Sequence, residues 1–382
     1  MPPPDEASER ISVPDGFEIR IFAISVPGPR LMAVGPDGEL YVALRSSGQI
    51  ARLPDRNNDG LSDGTEIAAS GLSGPHNLEF RDGFMYVAET TRISRLSDGN
   101  GDGVYTNRQT VVSVNLGTNG HSTRTLHFGP DGNLYYAAGS ASNNNPESDP
   151  RRAAILRFTP EGDIPNDNPF AGDADPRKRA VWAYGLRNSV DFFWTTSGRL
   201  WATHNGSDGL GDDLPPEELI IDVQKGATHG WPYCYTKVLG LNDPPQPEVH
   251  DMRVTLPSGF TCAQAVPALL TMPAHSAPLG ITPAMGSGFP AAYQDDAFAA
   301  IHGSWNTAAV NARDCKVERV VVENGKLVRS ETFANGWRAP GKPCGDSQTW
   351  GRPAGVIFGS DGALYISDDK GNRVYRVVYT GN

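Results

Sequence analysis

A polar turn followed by an alternating strand is written six times along this 382-residue chain. The copies are VGPDGELYVAL (34–44), FRDGFMYVAET (80–90), FGPDGNLYYAAG (128–139), WTTSGRLWATH (194–204), YQDDAFAAIHG (293–303) and FGSDGALYISD (358–368). A second series follows, GQIARL (48–53), TRISRL (91–96), AAILRF (153–158), EELIIDV (217–223), KVERVVV (316–322) and NRVYRVV (372–378), and reads as the next strand of each unit. A unit of a few strands cannot bury both its faces alone, so repeats of this kind stack on one another. Six such units predict an all-β fold, a six-bladed β-propeller with four-stranded blades and long loop inserts, in which residues 1–382 form a single domain. The segment FEIRIFA (17–23) is expected to pair into the last blade and close the ring, which removes open sheet edges. An irregular pair of β-sandwiches is the alternative.

The composition agrees with short strands and tight turns: 43 Gly and 31 Pro are spread through a chain that is 38% hydrophobic. There is no apolar run long enough for a membrane-spanning helix. The net charge of −11 argues against a nucleic-acid partner, whose affinity rests on neutralised phosphates. None of the four cysteines stands in a C-x-x-C pair, which disfavours a zinc ribbon, a thioredoxin-like site or attached haem. An even count in Gly/Pro-rich loops fits two disulfides and an oxidising compartment. The sequence-local pairing, Cys234–Cys262 and Cys315–Cys344, is expected among three connectivities, with four free thiols as the alternative. The start MPPPDEASER has no apolar core, so any export signal is expected to be already removed and the protein to be periplasmic or secreted.

Two acidic loops, DRNNDGLSD (55–63) and DGNGDGVYT (98–106), follow D-x-N-x-D-G, the first half of a calcium loop of the EF-hand type. Asp55, Asn57 and Asp59, and Asp98, Asn100 and Asp102, are the candidate oxygen ligands. The bidentate Glu that completes such a loop is missing from both, which leaves a weak calcium site or a plain polar turn.

In a propeller, the residues just before and just after the repeated phrase converge at one mouth of the channel. Here those positions hold Arg45, His76, His121, Arg187 with Asn188, the NGSDG stretch (205–209), His302 with Trp305, and Arg352. Cationic and imidazole groups thus gather in a chain that is acidic overall. Such a set suits an anionic ligand, because the arginine fork matches carboxylates.

The segments HGSWN (302–306), WGRPAGVIFGSDGALYISDD (350–369), HSAPLGI (275–281), GLRNSVDFFW (185–194) and GDDLPPEEL (211–219), in order over nearly the whole chain, resemble the sorbosone and pyranose dehydrogenase group, quinoprotein sugar dehydrogenases related to soluble glucose dehydrogenase. The resemblance implies a propeller that holds pyrroloquinoline quinone (PQQ) and calcium at the channel mouth. It also implies oxidation of a sugar hydroxyl or aldehyde group, with electrons passed to an external acceptor, a cytochrome or a quinone. His121 matches the family's catalytic base. Arg187 and Asn188 match a pair that contacts the quinone, and Arg352 a residue that pairs with a PQQ carboxylate. Arg45, His76, His302 and Trp305 are carried as further cofactor contacts, and Gly206 and Ser207 as the backbone carbonyls that hold the catalytic calcium. The chain departs from the pattern in lacking a lysine near HGSWN, in having Thr307 after that segment where arginine is usual, and in having Gly120 ahead of the base. The rival readings are a calcium-dependent lactonase or esterase and a non-catalytic carbohydrate-binding propeller.

Overall fold

The structure, a computed structural model, describes residues 3–304, 306–339 and 341–381. Its strands form six four-stranded antiparallel sheets, the six-bladed β-propeller that the repeat predicts. The chain divides into two compact units, one of Met1–Glu89, Ile93–Thr110 and Leu279–Asn382, the other of Thr90–Arg92 and Val111–Pro278.

The second unit holds two sheets. One runs Arg124–Phe128, Leu134–Ala138, Ala154–Phe158 and Val181–Tyr184; the other runs Phe192–Trp194, Leu200–His204, Glu217–Val223 and Leu270–Met272. A small hairpin of Cys234–Tyr235 and Val249–His250 stands in the insert before the last of these strands. The remaining four sheets belong mainly to the first unit. Both predicted strand series recur as the second and third strands of each sheet; Leu40–Leu44 beside Gln49–Leu53 and Leu364–Asp368 beside Arg373–Tyr379 are examples. The strand Phe17–Ile24 pairs with Arg373–Tyr379 from Phe17↔Tyr379 to Ile24↔Arg373, as expected from FEIRIFA. Both disulfides, Cys234–Cys262 and Cys315–Cys344, are formed in the expected pairing. Among the described residues, no helix is long and apolar enough to cross a membrane.

Three of the six turns share one device. In the G-P-D-G turn at 129–132, Asp131 accepts hydrogen bonds from the Asn133 amide (3.0 Å) and from the Tyr135 hydroxyl (3.0 Å). Arg157 of the next strand reaches the same carboxylate at 2.6 Å, and Tyr135 and Arg157 are cross-strand partners. The same set recurs as Asp37, Tyr41 and Arg52, and as Asp361, Tyr365 and Arg376. The turn, its exit strand and the following strand are therefore fixed by one carboxylate. Two glycines make room for this. Gly132 takes φ +77°, and a Cβ on Gly129 would stand 2.6 Å from the Tyr135 ring. Tyr41, Tyr135 and Tyr365 are buried, each contributing roughly 1.5–3 kcal/mol of apolar burial while the hydroxyl stays bonded. In the first unit, Phe17 adds an aromatic cluster, meeting Phe289, Phe333 and Tyr379 edge-on at 4.7, 5.1 and 5.1 Å.

Arg157 is buried and binds Asp131, the exposed Asp167 and Asn168. Arg157→Ala is expected to destabilise the protein by about 1.5–3 kcal/mol, because charged hydrogen bonds are lost and the turn loosens. Asp167→Ala should shift stability by no more than about 1 kcal/mol. Urea unfolding of both variants checks the contrast, and equal shifts would contradict the role given to the turn carboxylate.

Candidate active site

His121 stands just ahead of the strand Arg124–Phe128, where its backbone amide donates to the Ser140 carbonyl (2.9 Å). Its Nδ1 lies 2.9 Å from Ser140 Oγ, and Ser140 Oγ is 2.6 Å from the Ser142 carbonyl. A hydroxyl has one proton, and a carbonyl can only accept it. Ser140 therefore accepts from His121, which places the imidazole proton on Nδ1 and the basic lone pair on Nε2. Burial pushes the His121 pKa down to about 4, and nearby Arg187 works in the same direction. The ring is thus neutral at pH 7, with one basic nitrogen of fixed identity. Gly139 permits this packing, since a Cβ there would meet His121 Cβ at 2.5 Å and Asn188 Oδ1 at 2.9 Å.

Arg187 is buried beside this histidine. It donates to the Asn143 carbonyl (3.0 Å), to Asn143 Oδ1 (2.9 Å), to the Asn205 carbonyl (3.3 Å) and to Asp208 Oδ2 (2.9 Å). Asn143 is the hub of the arrangement. Its Oδ1 also accepts the Asp208 amide (2.8 Å), its Nδ2 donates to the Asp208 carbonyl (2.8 Å), and its carbonyl accepts from Ser207 Oγ (3.3 Å) and Trp231 Nε1 (3.0 Å). From the other side, the buried Glu217 accepts the Gly206 amide at 2.7 Å. Burial pushes the Glu217 pKa up to about 7. Residues 205–208 are thus held by their amides and side chains, and among the described residues no backbone amide donates to the Gly206 or Ser207 carbonyl. Two fixed carbonyl oxygens suit a hard cation such as calcium.

The first unit carries its own polar chain. His302 Nε2 lies 2.9 Å from Asp369 Oδ1, Asp369 Oδ2 pairs with Arg30 Nη1 at 2.5 Å, and Arg30 Nη2 lies 3.2 Å from His76 Nε2. Burial would raise the Asp369 pKa, but His302 and Arg30 hold it well below the usual carboxylate range. Arg352 donates through Nε to the His302 carbonyl (2.8 Å) and through Nη2 to the Gly303 carbonyl (2.9 Å). Burial lowers the pKa of Arg352, and of Arg45, where Arg30 adds repulsion.

Of the residues singled out in the sequence, His121, Arg187, Asn188, Gly206 and Ser207 come together in the second unit, and Arg45, His76, His302 and Arg352 gather in the first. Trp305 lies outside the described residues. The acidic loops form nested turns. Asp55 accepts the Asp59 and Gly60 amides, and Asp98 accepts those of Gly101 and Gly103. Among the described residues, one trio of His, Cys, Asp or Glu donors falls within 4.8 Å, Asp314, Cys315 and Cys344, whose cysteines form a disulfide. Sequence reasoning missed Arg30, Asp369, Ser140 and Asn143. The last two lie in the GSASNNNP run (139–146), where only the crowding of small polar residues gave a signal.

A model of the family described as TrAA12-like matches residues 11–380. An AA12 carbohydrate-active enzyme from Trichoderma reesei superposes with a TM-score of 0.78 at 19% identity, covering 99% of this chain and 100% of that one. The holo PQQ domain of pyranose dehydrogenase from Coprinopsis cinerea gives a TM-score of 0.77 at 19% identity, covering 97% of each chain. Over 121 residues, 31% of this chain and 30% of its counterpart, the sequence is 34% identical to the aldose sugar dehydrogenase YliI of Escherichia coli.

Asn143→Ala is expected to release the Asp208 amide while the Gly206 amide keeps its acceptor, Glu217. Hydrogen exchange should then accelerate at Asp208 far more than at Gly206, and uniform acceleration would remove Asn143 from its place as hub.

Proposed function

The chain belongs to the TrAA12-like family, and from that premise we propose that it is a PQQ- and calcium-dependent dehydrogenase that oxidises an aldose, pyranose or related sugar. The observation that carries the proposal is the fixed Nδ1–H tautomer of His121, neutral and basic at Nε2, beside the buried Arg187. Residues 1–382 then work as one catalytic domain that hands electrons to an external acceptor, a cytochrome or a quinone. The two disulfides support a periplasmic or secreted location.

The residues fit the proposed groups. Arg45 and Arg352 hold charge against burial, which a bound carboxylate would relieve. Arg45, His76, Arg187, Asn188, His302, Trp305 and Arg352 are the proposed contacts to PQQ, and the carbonyls of Gly206 and Ser207 the proposed calcium ligands. When bound, PQQ supplies an ortho-quinone that accepts hydride, with calcium as the Lewis acid.

His121 Nε2 takes the proton of the sugar hydroxyl as hydride leaves the same carbon. Ser140 keeps the ring oriented and its second nitrogen protonated, so the charge gained is shared with a hydrogen bond already made. The buried Arg187 is clamped by Asn143 and Asp208, so its guanidinium presents a fixed positive charge beside the base. That charge also keeps the imidazole unprotonated before substrate arrives.

Reconstitution with PQQ and calcium, followed by dye-linked oxidation across a sugar panel, tests the proposal, and silence across the panel would overturn it. His121→Ala is expected to keep PQQ binding and to lose about 10²–10⁴-fold in turnover. The base must be unprotonated, so kcat/KM should hold above pH about 4 and fall below it, rather than break near 6.5. Arg352→Ala should weaken PQQ affinity in a direct titration, and equal affinity would make Arg352 purely structural.

A further inference from the structure

A cavity of about 340 Å³ opens in the second unit, lined by residues drawn from 146–185 and 228–260. Its volume falls at the lower end of the roughly 300–1,000 Å³ typical of small-molecule sites, room for about one ring. Trp231, Tyr233, Phe260 and Tyr184 give it aromatic walls, and Glu147 and Lys178 add one acceptor and one donor group. The walls are braced. The Tyr233 and Phe260 rings lie 5.8 Å apart, and the Cys234–Cys262 disulfide ties the chain next to Tyr233 to the chain two residues beyond Phe260. A wall ordered in advance lowers the entropy lost on binding.

The cavity is also tied to the His121 site. Trp231 lines it and donates its Nε1 hydrogen to the Asn143 carbonyl, the carbonyl that Arg187 Nε also binds. Glu147 lines it and accepts the Ala141 amide at 2.6 Å, next to Ser140, the partner of His121. One loop, 140–147, thus serves both places.

We infer that this cavity is a subsite for a second sugar ring, so that the substrate class is a disaccharide or longer glycoside whose neighbouring ring is oxidised. A pyranose has an apolar C–H face and a polar rim. The first matches a tryptophan or tyrosine ring, and the second matches a few placed groups such as Glu147, Lys178 and the tyrosine hydroxyls. The inference rests on the dehydrogenase reading for the word substrate, but the binding it requires does not.

The test therefore has two arms. In the first, calorimetric titration of the protein without PQQ compares the methyl glycosides of cellobiose, maltose and lactose with methyl glucoside. At least one disaccharide should bind about tenfold more tightly than the monosaccharide. Phe260→Ala and Tyr233→Ala should each lose that preference, and Met252→Ala, at an exposed position outside the cavity, should keep it. In the second arm, on the reconstituted enzyme, the ratio of kcat/KM for free disaccharide to that for monosaccharide should fall by a similar factor in the two aromatic variants. The preference in the first arm without any oxidation in the second would sink the dehydrogenase reading and leave the sugar subsite standing. Oxidation without a disaccharide preference, or a preference that survives both aromatic substitutions, would overturn the subsite. So would tight binding of an aromatic acceptor dye that depends on Phe260 while sugars do not, since the cavity would then serve the electron acceptor.

Discussion

One carboxylate in each of three turns organises much of this fold. Asp37, Asp131 and Asp361 each bind a tyrosine hydroxyl four residues later and an arginine from the neighbouring strand. Because tyrosine and arginine are register partners, the turn residue selects the pairing as well as the bend. A slip of one residue would send the tyrosine to the other face and separate all three groups.

With register fixed at the turn, the opposite ends of the strands are free to carry chemistry. His121, Arg187 and the 205–208 stretch all sit at strand approaches or exits, where the backbone no longer needs them for pairing. Their environment is costly in solvation, since the Arg187 guanidinium and the Glu217 carboxyl are buried beside a half-buried imidazole. The hydrogen bonds through Asn143 and Ser140 offset part of that cost and remove alternative orientations. The same two residues belong to a loop that also lines the aromatic cavity, so the length of the insert has a structural use.

The strand series, the pairing of FEIRIFA with the last sheet and both disulfides were legible in the sequence because each leaves a local trace: period two, turn glycines, an even cysteine count. The outer strands of the sheets left less. Asn107–Ser113 is largely exposed and polar, and Phe192–Trp194 is three residues long. At the site, histidines and arginines beside the repeated phrase stood out because they recur at one register. Asn143 and Ser140 did not, since their roles depend on carbonyl and hydroxyl directions that no spacing encodes. Arg30 and Asp369 were hidden for a similar reason: their partnership joins residues more than 300 positions apart.

The Ser140 hydroxyl ends on the Ser142 carbonyl, and a carbonyl has no hydrogen to pass along. The imidazole therefore has a closed back door. In the proposed reaction, a proton captured at Nε2 leaves by the face through which it arrived, so the proposed base would reset only after that face is vacated. Catalytic cycling would then be paced by the clearing of the pocket mouth rather than by an internal wire to bulk water.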